Sequence, residues 1–163
     1  YSRANKPIEQ SELININEIV SEHTKLRRKV IAEKKATITC HGLPSIETYR
    51  APITQIFHCL LDNALKYVDE NKSPNIEIGA IEKENAWQFA IKDNGIGIDQ
   101  NFFDKIFMIF QRLQNRKEYD GTGIGLAVAK RCIEFLGGEI WVESEIDKGS
   151  TFHFTIVKIK KLI

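Results

Sequence analysis

The sequence predicts an α/β (α+β) two-layer sandwich, with a mixed, largely antiparallel sheet covered on one face by three main helices. Three observations predict it. Two pairs of alternating segments, within 75–92 and 139–159, read as hairpins. Three stretches repeat apolar residues at helical spacing. A chain of 163 residues suits one domain that buries about two-thirds of its unfolded surface.

Residues 1 to about 12 are polar, contain Pro7 and read as a linker. Leu13, Ile14 and Ile16 suggest a short strand entering a helix near Asn17, on which Ile19, Val20, His23, Leu26 and Val30 form one stripe. His23 lies on that stripe and reads as packing. Strands follow at Ala36–Cys40 and Ser45–Tyr49, and Pro52 suits the first turn of a helix over 52–68. Phe57, Leu60, Leu61, Ala64, Leu65 and Val68 give that helix its apolar face. Asn63 falls on the opposite side, together with Cys59, Lys66 and Tyr67 one turn away, as solvent surface or the floor of a site. Phe103, Ile106, Phe107 and Phe110 repeat at helical spacing over 102–110, and the polar run 111–120 reads as a mobile loop. Ile124–Leu136 reads as a helix stopped by Gly137-Gly138.

Composition excludes several classes. The formal net charge is +1, so no strong field draws the chain to nucleic acid or to a membrane surface. No apolar run approaches the roughly 18 residues that span a bilayer, and the N-terminus is not a signal peptide. Cys40, Cys59 and Cys132 are odd in number and widely spaced, which suits buried free thiols in a reducing compartment rather than a disulfide framework or a zinc site.

Two glycine clusters carry the chemistry: Asp93-Asn94-Gly95-Ile96-Gly97-Ile98 and Gly121-Thr122-Gly123-Ile124-Gly125-Leu126. Glycine lets backbone N–H groups approach a ligand closely. A glycine-rich turn opening a helix aims unpaired N–H groups and the positive dipole end at an anion. Together they suggest a nucleotide held at its base by one cluster and at its phosphates by the other. An Asp at a strand end, as Asp93 is, can accept a hydrogen bond from an adenine amine. The P-loop, dinucleotide and H-R-D kinase signatures are absent.

Five segments in order resemble the catalytic ATP-binding domain of bacterial sensor histidine kinases, within the group that includes gyrase and mismatch-repair ATPases (the Bergerat-type fold). Leu60–Tyr67 resembles the N box, Asp93–Ile98 the G1 box, Lys105–Arg112 the F box and Gly121–Leu126 the G2 box. Gly138–Ser144 with Gly149-Ser150-Thr151-Phe152 resembles the closing strands. The resemblance covers the chain from about residue 13 and implies an ATP lid over about 99–120.

It also implies the site. Asn63 would bind Mg²⁺ through its amide oxygen, Tyr67 would pack on adenine and Lys66 would sit near the phosphates. Asp93 would read the adenine amine, Gly95 and Gly97 would give room for the base, and Ile98 and Thr151 would be among the residues that bind the cofactor. Arg112 would reach the γ-phosphate. Backbone of Gly121, Thr122, Gly123, Ile124, Gly125 and Leu126 would cradle the phosphates, and Phe107 and Phe110 would anchor the lid. The implied cofactors are ATP and Mg²⁺. The implied activity is transfer of the γ-phosphoryl group to a histidine on a separate dimerisation domain in the cytoplasm, with a response regulator downstream. An ATP-hydrolysing machine and a catalytically silent docking module are the alternatives.

Two departures matter. Cys59 stands four residues before Asn63, where hydrolysing relatives carry a glutamate and histidine kinases an asparagine. A thiol supplies neither a water-activating carboxylate nor an amide ligand. That argues against efficient hydrolysis and puts Mg²⁺ affinity in question. None of His23, His41, His58 and His153 has the phospho-acceptor pattern of an acidic residue next and a proline a few positions on. With Tyr1-Ser2-Arg3 resembling the end of the dimerisation hairpin, the chain reads as an excised catalytic domain behind a linker of residues 1–12.

Overall fold

The computed structural model describes residues 9–108 and 125–159. Five strands form the main sheet: β2 (Thr37–His41), β4 (Asn75–Glu82), β5 (Ala86–Lys92), β6 (Ile140–Glu145) and β7 (Gly149–Val157). Their order is β2-β4-β5-β7-β6, with β2 and β4 parallel and every other pair antiparallel. The mixed, largely antiparallel sheet is therefore as expected. Strands β1 (Glu12–Asn15) and β3 (Ser45–Thr48) instead pair with each other in a separate two-stranded sheet.

Alternation along the strands sends one row of side chains inward. Ile76, Ile78, Phe89, Ile91, Phe152, Phe154 and Ile156 are all buried. Helix α3 (Arg50–Lys66) lies on that face through Phe57, Leu60, Leu61, Ala64 and Leu65 of the stripe read from the sequence, extended by Ile53 and Ile56. Phe57 packs edge-on against Phe89 and Phe154, with ring centroids 5.4 Å apart in each case. Aromatic edge-to-face pairs of this kind add to the burial energy of the rings themselves. Helix α4 (Gly125–Phe135) packs beside α3 and ends at Gly137, whose φ of +79° closes the last turn.

The first helical stretch divides into α1 (Ile16–Leu26) and α2 (Arg28–Lys34). Asn15 caps α1 by accepting from the Asn17 N–H. At the break, Arg27 leaves helical geometry and its guanidinium reaches Asp62 on α3. Lys35, in the left-handed region at φ 54°, ends α2. The helical spacing over 102–110 gives no α-helix within the described part: Gln100–Phe102 is a single 3-10 turn, followed by turns to Met108. Asp99 favours that tight start by accepting from the Asn101 N–H. Cys40 corrects the expectation of buried thiols, since β2 is an edge strand and leaves it exposed, whereas Cys59 and Cys132 are half-buried; all three are free.

Candidate nucleotide site

Helix α3 ends at Tyr67, and the loop after β5 docks onto that end. The Ile96 N–H donates to the Tyr67 carbonyl at 3.0 Å. Gly95 lies so close that a Cβ built on it would sit 2.2 Å from the Tyr67 oxygen, so no other residue fits there unshifted. The N box and the first glycine cluster thus meet through backbone.

Asp93, 8% exposed, sits at the floor of this junction. Its Oδ1 accepts from the Gly95 N–H at 2.9 Å and from the Ser150 N–H at 3.1 Å. Oδ2 carries no hydrogen bond among the described residues, which leaves an oriented acceptor. Burial pushes the Asp93 carboxyl above its ordinary value, and the two backbone donors pull it partway back. Asn94 is a strut, bonding the Ser73 carbonyl and the Asn75 N–H.

The β6–β7 turn closes the other side. The Ile96 carbonyl accepts from the Asp147 N–H at 2.8 Å. Gly97 has φ +77°, and a Cβ there would meet the Glu145 carbonyl at 2.1 Å. The Ile98 N–H donates to Ser144 Oγ at 2.8 Å. Gly149, at φ +100°, passes equally close to the Asp93 carbonyl.

On α3, Asn63 is half-buried and its amide has no hydrogen-bond partner among the described residues. Lys66 is exposed, its ammonium 5.9 Å from the centroid of the half-buried Tyr67 ring. Cys59 is half-buried and accepts from Gln55 Nε2 at 3.3 Å. Burial pushes its thiol up, which keeps it protonated at neutral pH. Behind Asn63, Asp62 faces α1, bound by His23 and by both ends of the Arg27 fork.

The structure brings Tyr67, Asp93, Gly95, Gly97 and Ile98 into one closely packed unit at the end of the helix that carries Asn63 and Lys66. Phe107 packs edge-on against Phe152, 6.2 Å between centroids, at the root of the segment read as a lid. Gly125 and Leu126 open α4. Phe110, Arg112, Gly121, Thr122, Gly123 and Ile124 lie outside the described residues. Thr151 is not part of the cluster: it is paired with Lys92 and Glu143, and strand alternation turns it to the other face of the sheet from Ser150 and Phe152, away from Asp93. Ser150, one residue earlier, is the neighbour that reaches Asp93. Ser150 and Ser144 belong to the segments that resemble the closing strands, but nothing in the sequence assigned either a role at the site. An open cleft of about 560 Å³ between α4 and β6, lined by Lys130, Glu134 and Trp141 among others, shares no residue with this cluster.

Known proteins resemble the chain over the same region. The family described as Histidine kinase-, DNA gyrase B-, and HSP90-like ATPase matches residues 48–160. Cyanobacterial phytochrome A from Nostoc sp. is 43% identical over 96% of this chain, which spans 20% of that relative. The adaptive-response sensory kinase SasA from Synechocystis sp. is 35% identical over 86% of this chain and 37% of its own length. Among solved structures, the catalytic domain of histidine kinase ThkA superposes with a TM-score of 0.76 at 25% identity, covering 91% of this chain and 98% of that one. Full-length ShkA in complex with AMPPNP shares the fold, with a TM-score of 0.78 at 23% identity, over 98% of this chain and 34% of that one.

Proposed function

The chain belongs to the histidine kinase-, DNA gyrase B- and HSP90-like ATPase family, and from that premise we propose that it binds Mg·ATP and donates the γ-phosphoryl group to a histidine. It is an ATP-binding kinase module of the two-component type. The observation that carries the reading is Asp93, whose Oδ1 is doubly held and whose Oδ2 is left to accept the adenine amine. The backbone at Gly95 and Gly97 leaves room for the base, and Tyr67 packs against it.

Asn63 fits a Mg²⁺ ion: its amide oxygen is a hard donor without a partner among the described residues, and phosphate oxygens and water would complete the shell. Cys59 does not, being protonated and engaged with Gln55. The ion, when bound, neutralises charge on the phosphates. Lys66 steadies them, the backbone of residues 121–126 cradles them, and Arg112 stabilises charge on the transferring group. In the transfer the bond from the β,γ-bridging oxygen to phosphorus breaks, a phosphorus–nitrogen bond forms and ADP departs. The histidine and the base that takes its proton come from a dimerisation domain joined through residues 1–12. A response regulator then receives the phosphoryl group, in the cytoplasm. No described helix is long and apolar enough to cross a membrane.

Cys59 favours one second reading, a nucleotide-binding docking module without transfer, over hydrolysis. Calorimetric titration with ATP, with and without Mg²⁺, tests binding. Label from [γ-³²P]ATP, followed onto the parent's histidine hairpin, tests transfer. Tight binding with no labelled hairpin would favour the docking module, and no binding would end both readings.

A further inference from the structure

Ser144 lies near the end of β6, and the ATP reading gives it no role of its own. Its hydroxyl has one proton to give and room for two to accept. Three partners surround it: the Ile98 N–H at 2.8 Å, the Gly149 carbonyl at 2.9 Å and Ser150 Oγ at 2.7 Å. A single proton assignment satisfies all three. Ser144 donates to the Gly149 carbonyl and accepts from the Ile98 N–H and the Ser150 hydroxyl. Its hydrogen-bonding capacity is then full.

Each partner leads into the nucleotide site. Ile98 is the residue at which the glycine loop gives way to Asp99, the 3-10 turn and Phe107. Gly149 presses on the Asp93 backbone, and the Ser150 N–H is one of the two donors that orient the Asp93 carboxylate. With both donors on Oδ1, the other oxygen is presented to the base. The hydroxyl therefore joins the root of the lid segment to the group that reads the adenine.

We propose that Ser144 is a positioning residue for nucleotide binding, pinning the Ile98 amide and the β6–β7 turn together so that Asp93 and the lid root hold one geometry. The role rests on the assignment of Asp93 to the adenine amine. Replacing Ser144 by Ala strands the Ile98 N–H and the Ser150 hydroxyl, both at partly or fully buried positions.

The test is calorimetric titration of the chain and of S144A and S144T with ATP and with GTP. S144A is expected to bind ATP roughly five- to tenfold more weakly, the scale of one lost hydrogen bond, at unchanged stoichiometry and with a reduced ATP-over-GTP preference. S144T keeps the hydroxyl and should stay within about threefold of the parent. A merely structural role would lower the melting temperature or the active fraction while leaving the affinity and base preference of the folded molecules intact. S144A with the parent's affinity and selectivity would overturn the proposal. A parent chain that itself ignores ATP would overturn the Asp93 assignment and this role with it, a separable result. If S144A does not fold, hydrogen exchange on the parent decides: the Ile98 amide must be protected like the β6–β7 hairpin amides, and exchange at open-loop rates would refute the pin.

Discussion

Asp62 offers the sharpest test of how the helix carrying Asn63 is held. Its carboxylate accepts from His23 Nε2 at 2.7 Å, from Arg27 Nε at 2.8 Å and from Arg27 Nη2 at 3.0 Å. Burial pushes the carboxyl up, but the hydrogen bonds and charge of His23 and Arg27 outweigh it and hold it at about 2 against an ordinary 3.8. At face value that gap corresponds to roughly 2 kcal/mol. The side chain is 40% exposed, so solvent screening cuts the figure to about 1 kcal/mol. The sign follows from the direction: the folded value lies below the unfolded one. The contribution is therefore complete above 3.8 and is lost as pH falls from there through about 2. Asp62→Asn keeps an acceptor for His23 but removes the charge. It should cost about 1 kcal/mol at pH 7 in urea unfolding, and the difference from the parent should shrink as pH drops below 3.8. Asp62→Ala should cost about 1–3 kcal/mol more, because His23 is wholly buried and its Nδ1 already has no partner among the described residues. A gap between parent and Asp62→Asn that stays constant from pH 7 to pH 2.5, or a more stable Asp62→Asn, would refute the reasoning.

The other expectations concern the nucleotide site. Asp93→Asn should weaken ATP binding by about tenfold or more and narrow the preference for ATP over GTP, since an amide can donate where the carboxylate only accepts; unchanged selectivity in a titration would remove Asp93 from its role. Because burial raises the Asp93 carboxyl, ATP affinity of the parent should begin to fall with acidification at a higher pH than an ordinary carboxylate would give, as read by titration between pH 7 and 4. Gly97→Ala forces a positive φ on alanine and a Cβ into the Glu145 carbonyl, so it should lose at least about 2 kcal/mol and lower the melting temperature by about 5 °C; a melt within one degree of the parent's would contradict the close approach. Iodoacetamide at pH 7.5 should label the exposed Cys40 first and the half-buried Cys59 and Cys132 slowly, with mass spectrometry of timed samples as the check; Cys59 reacting first would deny the burial that keeps its thiol protonated.

Helix α3 and the two hairpins were readable because one period dominates each: a stripe through Phe57, Leu60, Leu61 and Ala64 permits no other packing, and strict alternation fixes Ile76, Ile78, Phe89 and Ile91 inward. The loop at Asp93 was readable because glycines at closely packed positions leave a compositional trace. What escaped depends on contacts distant in sequence. Nothing near Arg27 foretells that its fork meets Asp62, 35 residues on, and breaks the first helix there. Among the described residues β1 pairs only with β3, and a four-residue strand carries no signal for which sheet it joins. The stripe at Phe103, Ile106 and Phe107 satisfies helical spacing and packing in a run of tight turns just as well. Thr151 and Ser150 differ by one place, and only the register set by the Gly149 turn decides which of them meets Asp93.

The same geometry bears on which reaction the site favours. Hydrolysis needs a base over the water that attacks phosphorus, and the position one turn before Asn63 holds a thiol kept protonated by burial and bound by Gln55. Among the other ionisable groups of α3, Asp62 is turned to α1 by His23 and Arg27 and is already ionised, hydrogen-bonded on both oxygens. Asp93 is held by the Gly95 and Ser150 N–H groups, at the end of the site proposed to read the base. None of Cys59, Asp62 and Asp93 is therefore free to take a proton from water, whereas phosphoryl transfer to a nucleophile that arrives with its own base asks for none. A steady-state assay of the isolated chain should show turnover close to background even at saturating Mg·ATP. Robust hydrolysis would move the assignment toward the hydrolysing branch of the family.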